Sequence, residues 1–178
     1  DTDFYESAIA FGRFQEMLRE FPAETLHETI PLFHNTTNRY RIFRKALQDD
    51  LAGRAAGVPD DIRFALDREQ EAGTLCSLLD SGELPLRVTH NDTKLNNVLF
   101  DRRTRKATAA EDEKDLSKMG INLHLFQVYT AGYLAACKSL TPKELELLPL
   151  GAKIITLELA VRFLTDYLDG DRYFRVAY

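Results

Sequence analysis

The spacing of apolar residues along the chain predicts a mainly helical protein. In the first segment they recur every three or four positions, which places one stripe on one face of a helix: Phe4, Ala8, Phe11, Phe14, Leu18 and Phe21. Pro22 ends this helix, because proline lacks the N–H that a helix needs and its ring clashes with the preceding turn. Comparable patterns predict further helices over 39–47, 60–79, 123–137, 141–148 and 153–168.

Residues at the ends of two predicted helices have recognised capping roles. Thr141 and Glu144 stand three positions apart and fit a capping box, in which each side chain bonds the backbone N–H of the other. Asp169 and Gly170 follow the last helix, where glycine commonly ends helical structure. The segments 25–35 and 49–59 carry prolines or glycines and are predicted to be irregular.

A polar loop in the middle of the chain is flanked by two β-rich runs, 86–89 and 98–100, which predict a small β-hairpin. The loop holds four polar side chains at fixed offsets: His90, Asp92, Lys94 and Asn97. A hairpin loop whose Asp and Asn side chains only satisfy the backbone is one interpretation. The combined pattern of the four residues between two strand-like runs favours the interpretation that the loop takes part in chemistry.

The offsets of these four residues match the protein-kinase catalytic loop, His-x-Asp-x-x-x-x-Asn. There the Asp accepts the proton of the substrate hydroxyl and the Asn holds magnesium. Phosphoryl transfer needs an oriented hydroxyl and cations near the developing charge, and Asp92 and Asn97 are side chains of the types that supply these. Lys94 stands where many kinases place a lysine near the transferred phosphate. His90 is expected to brace the loop by hydrogen bonding.

The sequence around the loop resembles aminoglycoside phosphotransferase and choline kinase-like enzymes, and is most similar to the N-acetylhexosamine 1-kinases. The likeness is carried by Thr-His-Asn-Asp-Thr-Lys-Leu-Asn-Asn-Val-Leu-Phe-Asp at 89–101 and by the stretches 10–15, 21–31, 147–153 and 162–168. It implies that 1–178 is the C-terminal lobe of a protein-kinase-like fold, mainly α with a small hairpin. It also implies transfer of the γ-phosphate of ATP, with Mg²⁺, to a sugar hydroxyl, the anomeric hydroxyl of an N-acetylhexosamine above all.

The resemblance assigns roles to individual residues. Asp92 and Lys94 are catalytic, Asn97 binds the cofactor and the metal, and the sugar is bound by Asp92, Arg162 and Tyr173. In this assignment the Arg162 side chain bonds the sugar and the Tyr173 ring packs on it. The two are eleven residues apart across the break at Gly170, so a helix end and the following turn can bring both to one wall, opposite Asp92.

A simpler interpretation exists for Arg162 and for two other polar residues. Arg162 and Asp166 are four apart on a helix, a spacing that permits an ordinary salt bridge. His34 and Asn35 lie in a polar loop, where a role in the turn is favoured over contact with substrate. Glu158 is assigned to packing or to the helix surface, with no function.

Two features of the family are not found in the sequence. Its nucleotide lobe has no counterpart, because 1–20 is predicted to be a helix and no Gly-x-Gly or Gly-x-x-x-x-Gly-Lys-Ser/Thr motif occurs. The family has an apolar strand that leads to a second metal-binding acid. The matching segment here, 106–113, has the residue pattern of a poor buried strand. If the sequence has no gap, Asp112 stands at the position of that acid. We therefore expect the upstream lobe and an internal piece near 108–111 to be missing, and such a chain could not bind nucleotide in the family's manner.

The composition and the net charge of the chain limit the classes of partner that it is expected to bind. A net charge of −5 argues against nucleic acid, which requires a concentrated basic face. There is no membrane-length apolar run and no signal peptide, so no membrane partner is expected. Cys76 and Cys137 lie far apart in helical contexts, which favours a reduced, cytoplasmic protein. The sequence does not determine the oligomeric state.

Three function classes remain open after this reasoning. The first is a sugar kinase that uses ATP and magnesium. The second is a choline, homoserine or aminoglycoside kinase that uses the same loop. The third is a non-catalytic, kinase-like binding protein, which the absent metal acid keeps open.

Overall fold

The computed structural model describes residues 2–93 and 122–174, and this part of the chain is mainly helical, as predicted. Helices hold 67% of it, and it contains no strand or sheet. The first strand predicted for the hairpin is therefore not observed, since 86–89 is irregular backbone. A strand exists only when its backbone bonds a partner, and the predicted partner, 98–100, lies outside the described residues. The hairpin and the kinase-like lobe stay predictions.

Seven α-helices lie within the described ranges. They are α1 (Thr2–Met17), α2 (Thr36–Asp49), α3 (Pro59–Leu66), α4 (Glu69–Ala72), α5 (Thr74–Asp80), α6 (Leu123–Ala136) and α7 (Pro142–Asp169), with short 3₁₀ turns at Ala23–Thr25 and Ala55–Gly57. The single helix predicted over 60–79 is divided into α3, α4 and α5. The two helices predicted over 141–148 and 153–168 form one, because α7 continues through Pro149.

Both ends of α7 have the local chemistry that the sequence predicts. At the start of α7 the Glu144 N–H donates to Thr141 Oγ1 at 3.2 Å, and the Thr141 N–H donates to Glu144 Oε2 at 2.7 Å. Gly170 ends this helix in the left-handed region, at a φ of 90°. Asn35 caps α2 by accepting the N–H of Asn38 at 2.8 Å. The capping box and the glycine end are thus confirmed.

The chain divides into two compact units, and the first comprises Asp1–Thr25 and Arg87–Leu140. In this unit α1 packs on α6, and each helix contributes a glycine where the two meet. A Cβ added to Gly132 would lie 2.5 Å from the carbonyl oxygen of Tyr5, and one added to Gly12 would lie 2.6 Å from that of Tyr133. Since both obstacles are backbone atoms, any larger residue forces the helices apart.

Gly132→Ala is therefore expected to destabilise the first unit by about 2–3 kcal/mol, the usual scale of overpacking. Helix propensity alone forecasts the opposite, a gain of about 1 kcal/mol. Gly151→Ala in α7 is the matched control, because an added Cβ there meets no heavy atom within 4 Å. Urea unfolding of both variants, followed by hydrogen exchange in α1 and α6, measures the difference. Unchanged stability of Gly132→Ala would refute the close contact.

The second unit comprises Leu26–Leu86 and Thr141–Tyr178. Here α2 packs along α7, and α3 and α4 also contact α7. Its core consists of buried side chains from these helices: Tyr40, Phe43, Ala46, Ala65, Ala72, Leu157, Val161 and Leu168. The buried Tyr40 hydroxyl donates to the Ala65 carbonyl at 3.0 Å, which satisfies its one polar group. Within the described ranges, no helix combines the length and the apolarity that crossing a bilayer would require.

Candidate functional site

The segment that leads to Asp92 is anchored within the first unit. Arg87 Nη2 donates to the Ser139 carbonyl at 2.8 Å, just beyond the end of α6. Asn91 adopts the left-handed region at a φ of 60°, a conformation that asparagine tolerates better than most residues. The Thr89 hydroxyl donates to Asn91 Oδ1 at 2.6 Å and fixes this turn. The turn places Asp92 on the surface, with its side chain exposed.

His90 braces the same turn. Its ring stands edge-on to Phe11 and Phe14 of α1, with centroids 5.3 and 5.6 Å apart. The Asp92 backbone N–H donates to His90 Nδ1 at 3.3 Å, so a neutral ring carries its proton on Nε2. This is the bracing contact expected from the sequence, and it fixes the backbone from which the Asp92 carboxylate projects.

The residue after Asp92 connects the loop to α6. Thr93 hydrogen bonds Tyr129; burial raises the pKa of the Tyr129 hydroxyl, and this bond opposes the shift. Lys94, Asn97 and Asp112 lie outside the described residues, as does the gap predicted near 108–111. Within 2–93 and 122–174, no group of three or more His, Cys, Asp or Glu is placed to hold a metal ion.

Glu16 on α1 also bonds the chain just beyond α6, where Arg87 is bound. Glu16 Oε2 accepts the backbone N–H groups of Lys138 at 2.8 Å and Ser139 at 2.9 Å. A hydrogen bond from the Ser139 side chain lowers the pKa of Glu16 most; with Arg19 and the two backbone groups it brings the pKa to about 2, against the opposing effect of burial. The ionised carboxylate thus holds the chain beyond α6 against α1, next to the carbonyl that binds Arg87.

The first unit is therefore expected to lose stability as the pH falls from about 4.5 towards 2. The pKa of Glu16 is lower in the folded state than in the unfolded state, so protonation favours unfolding, and the stabilisation is complete only above about 4.5. Glu16→Gln should remove this part of the pH dependence, whereas Glu20→Gln, at an exposed neighbour, should keep it. Hydrogen exchange at 138 and 139 across this range measures it. Identical profiles for wild type and Glu16→Gln would contradict the role of the carboxylate.

In the second unit the structure brings Arg162 and Tyr173 together. Arg162 Nη2 lies 3.5 Å from Tyr173 Oη, the outer limit of a hydrogen bond, and its guanidinium carbon lies 5.7 Å from the centre of the Tyr173 ring. The same carbon is 4.9 Å from the Phe33 ring centre and 5.6 Å from that of Phe174. One guanidinium is thus within cation–π distance of three rings. Contact of Arg162 and Tyr173 with a sugar stays a prediction.

Asp166 does not pair with Arg162, so the simpler interpretation of Arg162 is wrong. Asp166 is only 7% exposed, and its carboxylate accepts three backbone N–H groups of the turn after α7. These belong to Arg172 at 2.9 Å, Tyr173 at 2.7 Å and Phe174 at 2.8 Å. The carboxylate is occupied by the turn because these amides have no helical acceptor. It thereby fixes the backbone that presents Tyr173 and Phe174.

Glu158 is a residue whose importance the sequence did not reveal. It is 2% exposed, and each of its carboxylate oxygens has a partner. Oε1 lies 3.0 Å from His34 Nδ1, and Oε2 accepts the Thr36 hydroxyl at 3.0 Å. The His34 ring stands edge-on to Phe33, with centroids 4.7 Å apart. Neighbouring Asn35 has the turn role that was favoured for it.

One local signal could have identified Glu158. It stands among the buried positions Ile154, Leu157 and Val161 of α7, and a carboxylate in a buried stripe requires a partner. It also lies one helical turn before Arg162, so the two share a face of α7. The identity of its partners could not be read from the sequence, because His34 is 124 residues away.

A second arginine, Arg39, also contacts Phe33. Arg39 Nε donates to the Phe33 carbonyl at 2.9 Å, Nη2 donates to the same oxygen, and the guanidinium carbon is 5.1 Å from the Phe33 ring centre. Burial lowers the pKa of Arg39, the positive charge of Arg162 lowers it further, and the charge of Glu158 opposes both. We call Phe33, His34, Arg39, Glu158, Arg162 and Tyr173 the polar–aromatic cluster. It offers guanidinium donors, an imidazole and aromatic surfaces in one unit.

A cavity of about 470 Å³ lies elsewhere in the second unit. It is mainly apolar, and its walls include Val58, Phe64, Leu157, Phe163 and Tyr167. Neither Arg162 nor Tyr173 lines it, so it does not coincide with the site predicted from the sequence. Its lining lacks the guanidinium donors that the polar–aromatic cluster provides.

A search of the chain against models of known protein families finds no match. The resemblance to kinase-like phosphotransferases therefore rests on the sequence stretches themselves.

Proposed function

We propose that the chain is the C-terminal lobe of a kinase-like phosphotransferase that transfers the γ-phosphate of ATP to a sugar, at the anomeric hydroxyl of an N-acetylhexosamine. The observation that carries the proposal is the pattern of His90, Asp92, Lys94 and Asn97, together with the hydrogen bond by which His90 braces the backbone of Asp92.

Each loop residue has a chemical role in this proposal. Asp92 orients the acceptor hydroxyl and takes its proton as the oxygen attacks the γ-phosphorus of ATP, while the bond from that phosphorus to the bridging oxygen breaks and ADP leaves. Lys94 neutralises charge that develops on the transferred phosphoryl group. Asn97 offers an amide oxygen, a ligand type that suits Mg²⁺, and Asp112 is one candidate for a further metal ligand. ATP would supply the phosphoryl group, and the Mg²⁺ bound with it would neutralise part of the charge on the phosphates.

The polar–aromatic cluster favours a neutral, hydroxyl-rich acceptor. Sugars bind through hydrogen bonds from polar groups and through packing of their C–H faces on aromatic rings. Arg162 and Tyr173 offer one donor and one ring side by side. Choline and aminoglycosides are cations, and Arg39 and Arg162 would repel them at rings that already carry a guanidinium. Homoserine carries a carboxylate that Arg162 would attract, so it belongs in any panel of acceptors.

If the cluster binds the acceptor, substitutions in it should change the KM for the sugar and not the KM for ATP. Arg162→Ala and Tyr173→Ala in the full-length enzyme are expected to raise the KM for the sugar about tenfold or more, the scale of one lost hydrogen bond to a charged group. The KM for ATP should stay nearly unchanged. Arg172→Ala, at an exposed position of the same turn, is the matched control and should leave both constants unchanged. An unaltered KM for the sugar in both test variants would exclude the cluster as its binding surface.

A further inference from the structure

Glu158 is a carboxylate that is fully buried in the second unit. Burial of a carboxylate is costly unless every oxygen is paired, and an apolar residue of similar size often stabilises a core at least as well. Here both oxygens are paired, one with His34 and one with Thr36. A gain in stability alone does not account for this arrangement. The pairing with Glu158 also affects where His34 carries its proton.

The pairing selects one tautomer of His34. When the Glu158 carboxylate is ionised it can only accept hydrogen bonds, and the His34 tautomer that pairs with it then carries its proton on Nδ1. In a neutral ring Nε2 is then left with a lone pair, and it acts as an acceptor. Among the described residues Nε2 has no hydrogen-bond partner, and the His34 side chain is 29% exposed. A buried carboxylate therefore presents an oriented acceptor at the surface.

This acceptor lies in the polar–aromatic cluster. The His34 ring contacts Phe33, and the guanidinium groups of Arg162 and Arg39 also lie near the Phe33 ring. Glu158 and Arg162 are one turn apart on α7, so the groups that orient His34 and bind Tyr173 come from the same helix face. Guanidinium groups only donate hydrogen bonds. His34 adds the acceptor that recognition of a hydroxyl hydrogen requires.

We propose that His34 is a specificity-determining residue whose Nε2 accepts a hydrogen bond from a hydroxyl of the sugar. Glu158 and Thr36 are positioning residues that fix the His34 tautomer. This inference rests on the proposed sugar kinase activity and deepens it. A site built to bond a hydroxyl rejects analogues that lack it, so at least one deoxy sugar should be a poor acceptor.

The tautomer can be measured without any sugar. In the full-length, ¹⁵N-labelled protein at pH 8, two-bond ¹H–¹⁵N correlations should show the proton of His34 on Nδ1. In Glu158→Gln the amide can donate to Nδ1, so the proton should move to Nε2. His90 is the internal control, because its Nδ1 accepts the Asp92 N–H and its proton should stay on Nε2 in both proteins. A wild-type His34 protonated mainly on Nε2 would overturn the proposal.

Kinetics with deoxy sugars test the ligand contact. The wild-type enzyme should show a KM about tenfold higher for one of the 3-, 4- or 6-deoxy N-acetylglucosamines than for the parent sugar. His34→Asn keeps an amide for Glu158 but has no atom at Nε2, and it should abolish this discrimination. His34→Gln, which can place an amide oxygen near Nε2, should keep part of it. Glu158→Gln should raise the KM of the parent sugar with little change in kcat, and His27→Asn, at an exposed histidine, should change nothing.

The outcomes separate the two proposals. If His34→Asn keeps wild-type discrimination while Arg162→Ala raises the KM for the sugar, the sugar kinase stands and the role of His34 is overturned. If the wild-type enzyme phosphorylates no sugar, the proposed function fails and the role of His34 fails with it. Loss of discrimination in His34→Asn, with wild-type melting temperature and partial rescue by His34→Gln, supports the proposal.

Discussion

Asp92→Asn in the full-length protein is expected to lower kcat by about 10²-fold or more while the fold stays intact, the scale of a lost general base. The substitution keeps the shape of the side chain but removes the negative charge that orients the hydroxyl and accepts its proton. The backbone of residue 92 should stay in place, because its N–H bonds His90 and the His90 ring packs on Phe11 and Phe14. Binding of sugar and of nucleotide should change far less than turnover.

Asp80→Asn, at an exposed aspartate near the end of α5, is the matched control and should retain wild-type turnover. Steady-state kinetics with saturating ATP and sugar, together with circular dichroism spectra of both variants, make the comparison. Near-wild-type kcat in Asp92→Asn would remove Asp92 from the chemistry.

Asp166→Ala should destabilise the second unit, with a loss of about 2–3 kcal/mol in the free energy of unfolding. Three backbone N–H groups donate to this one buried carboxylate, and bonds to charged groups stabilise more than neutral ones. Without the carboxylate the turn that carries Tyr173 and Phe174 loses its common acceptor. Urea unfolding measures the loss, and the KM for the sugar should rise in the same variant because Tyr173 is no longer held.

Asp169→Ala is the control for this substitution, because it removes a carboxylate from the same helix end. Asp169 is the last residue of α7, where a negative charge opposes the helix dipole, so its removal should be neutral or slightly stabilising. Equal stability of Asp166→Ala and Asp169→Ala would show that the three hydrogen bonds do not hold the turn.

Helix ends marked by local chemistry could be predicted from the sequence, whereas divisions within helices could not. The side chains at Thr141 and Glu144 and the glycine at 170 act on their own backbone, so a short window contains the whole cause. The division of 60–79 into three helices depends on tertiary packing instead, since Ala65 and Ala72 from different pieces are both in the core. Two helices were predicted over 141–148 and 153–168, but Pro149 removes only one backbone hydrogen bond, and α7 continues through it.

In the candidate site, too, contacts between residues close in sequence could be predicted, and contacts between distant residues could not. Arg162 and Tyr173 are eleven residues apart, and a helix end followed by a turn is enough to bring them together. The partners of Glu158 are 122 and 124 residues away, so their convergence depends on the packing of α2 against α7. Phe11 and Phe14 were correctly identified as packing residues, but the periodicity of α1 gives no indication that they pack on His90.

Transfer of phosphate to a sugar is the central claim, and ³¹P NMR of the full-length protein with ATP, Mg²⁺ and an N-acetylhexosamine tests it most directly. The account predicts a new phosphomonoester resonance, coupled to the anomeric proton of the sugar, that grows as the γ-phosphate resonance of ATP disappears. Asp92→Asn should suppress it, and choline and aminoglycosides should give no phosphorylated product. Phosphorylation of one of those cations instead of the sugar, or no transfer to any acceptor, would contradict the account.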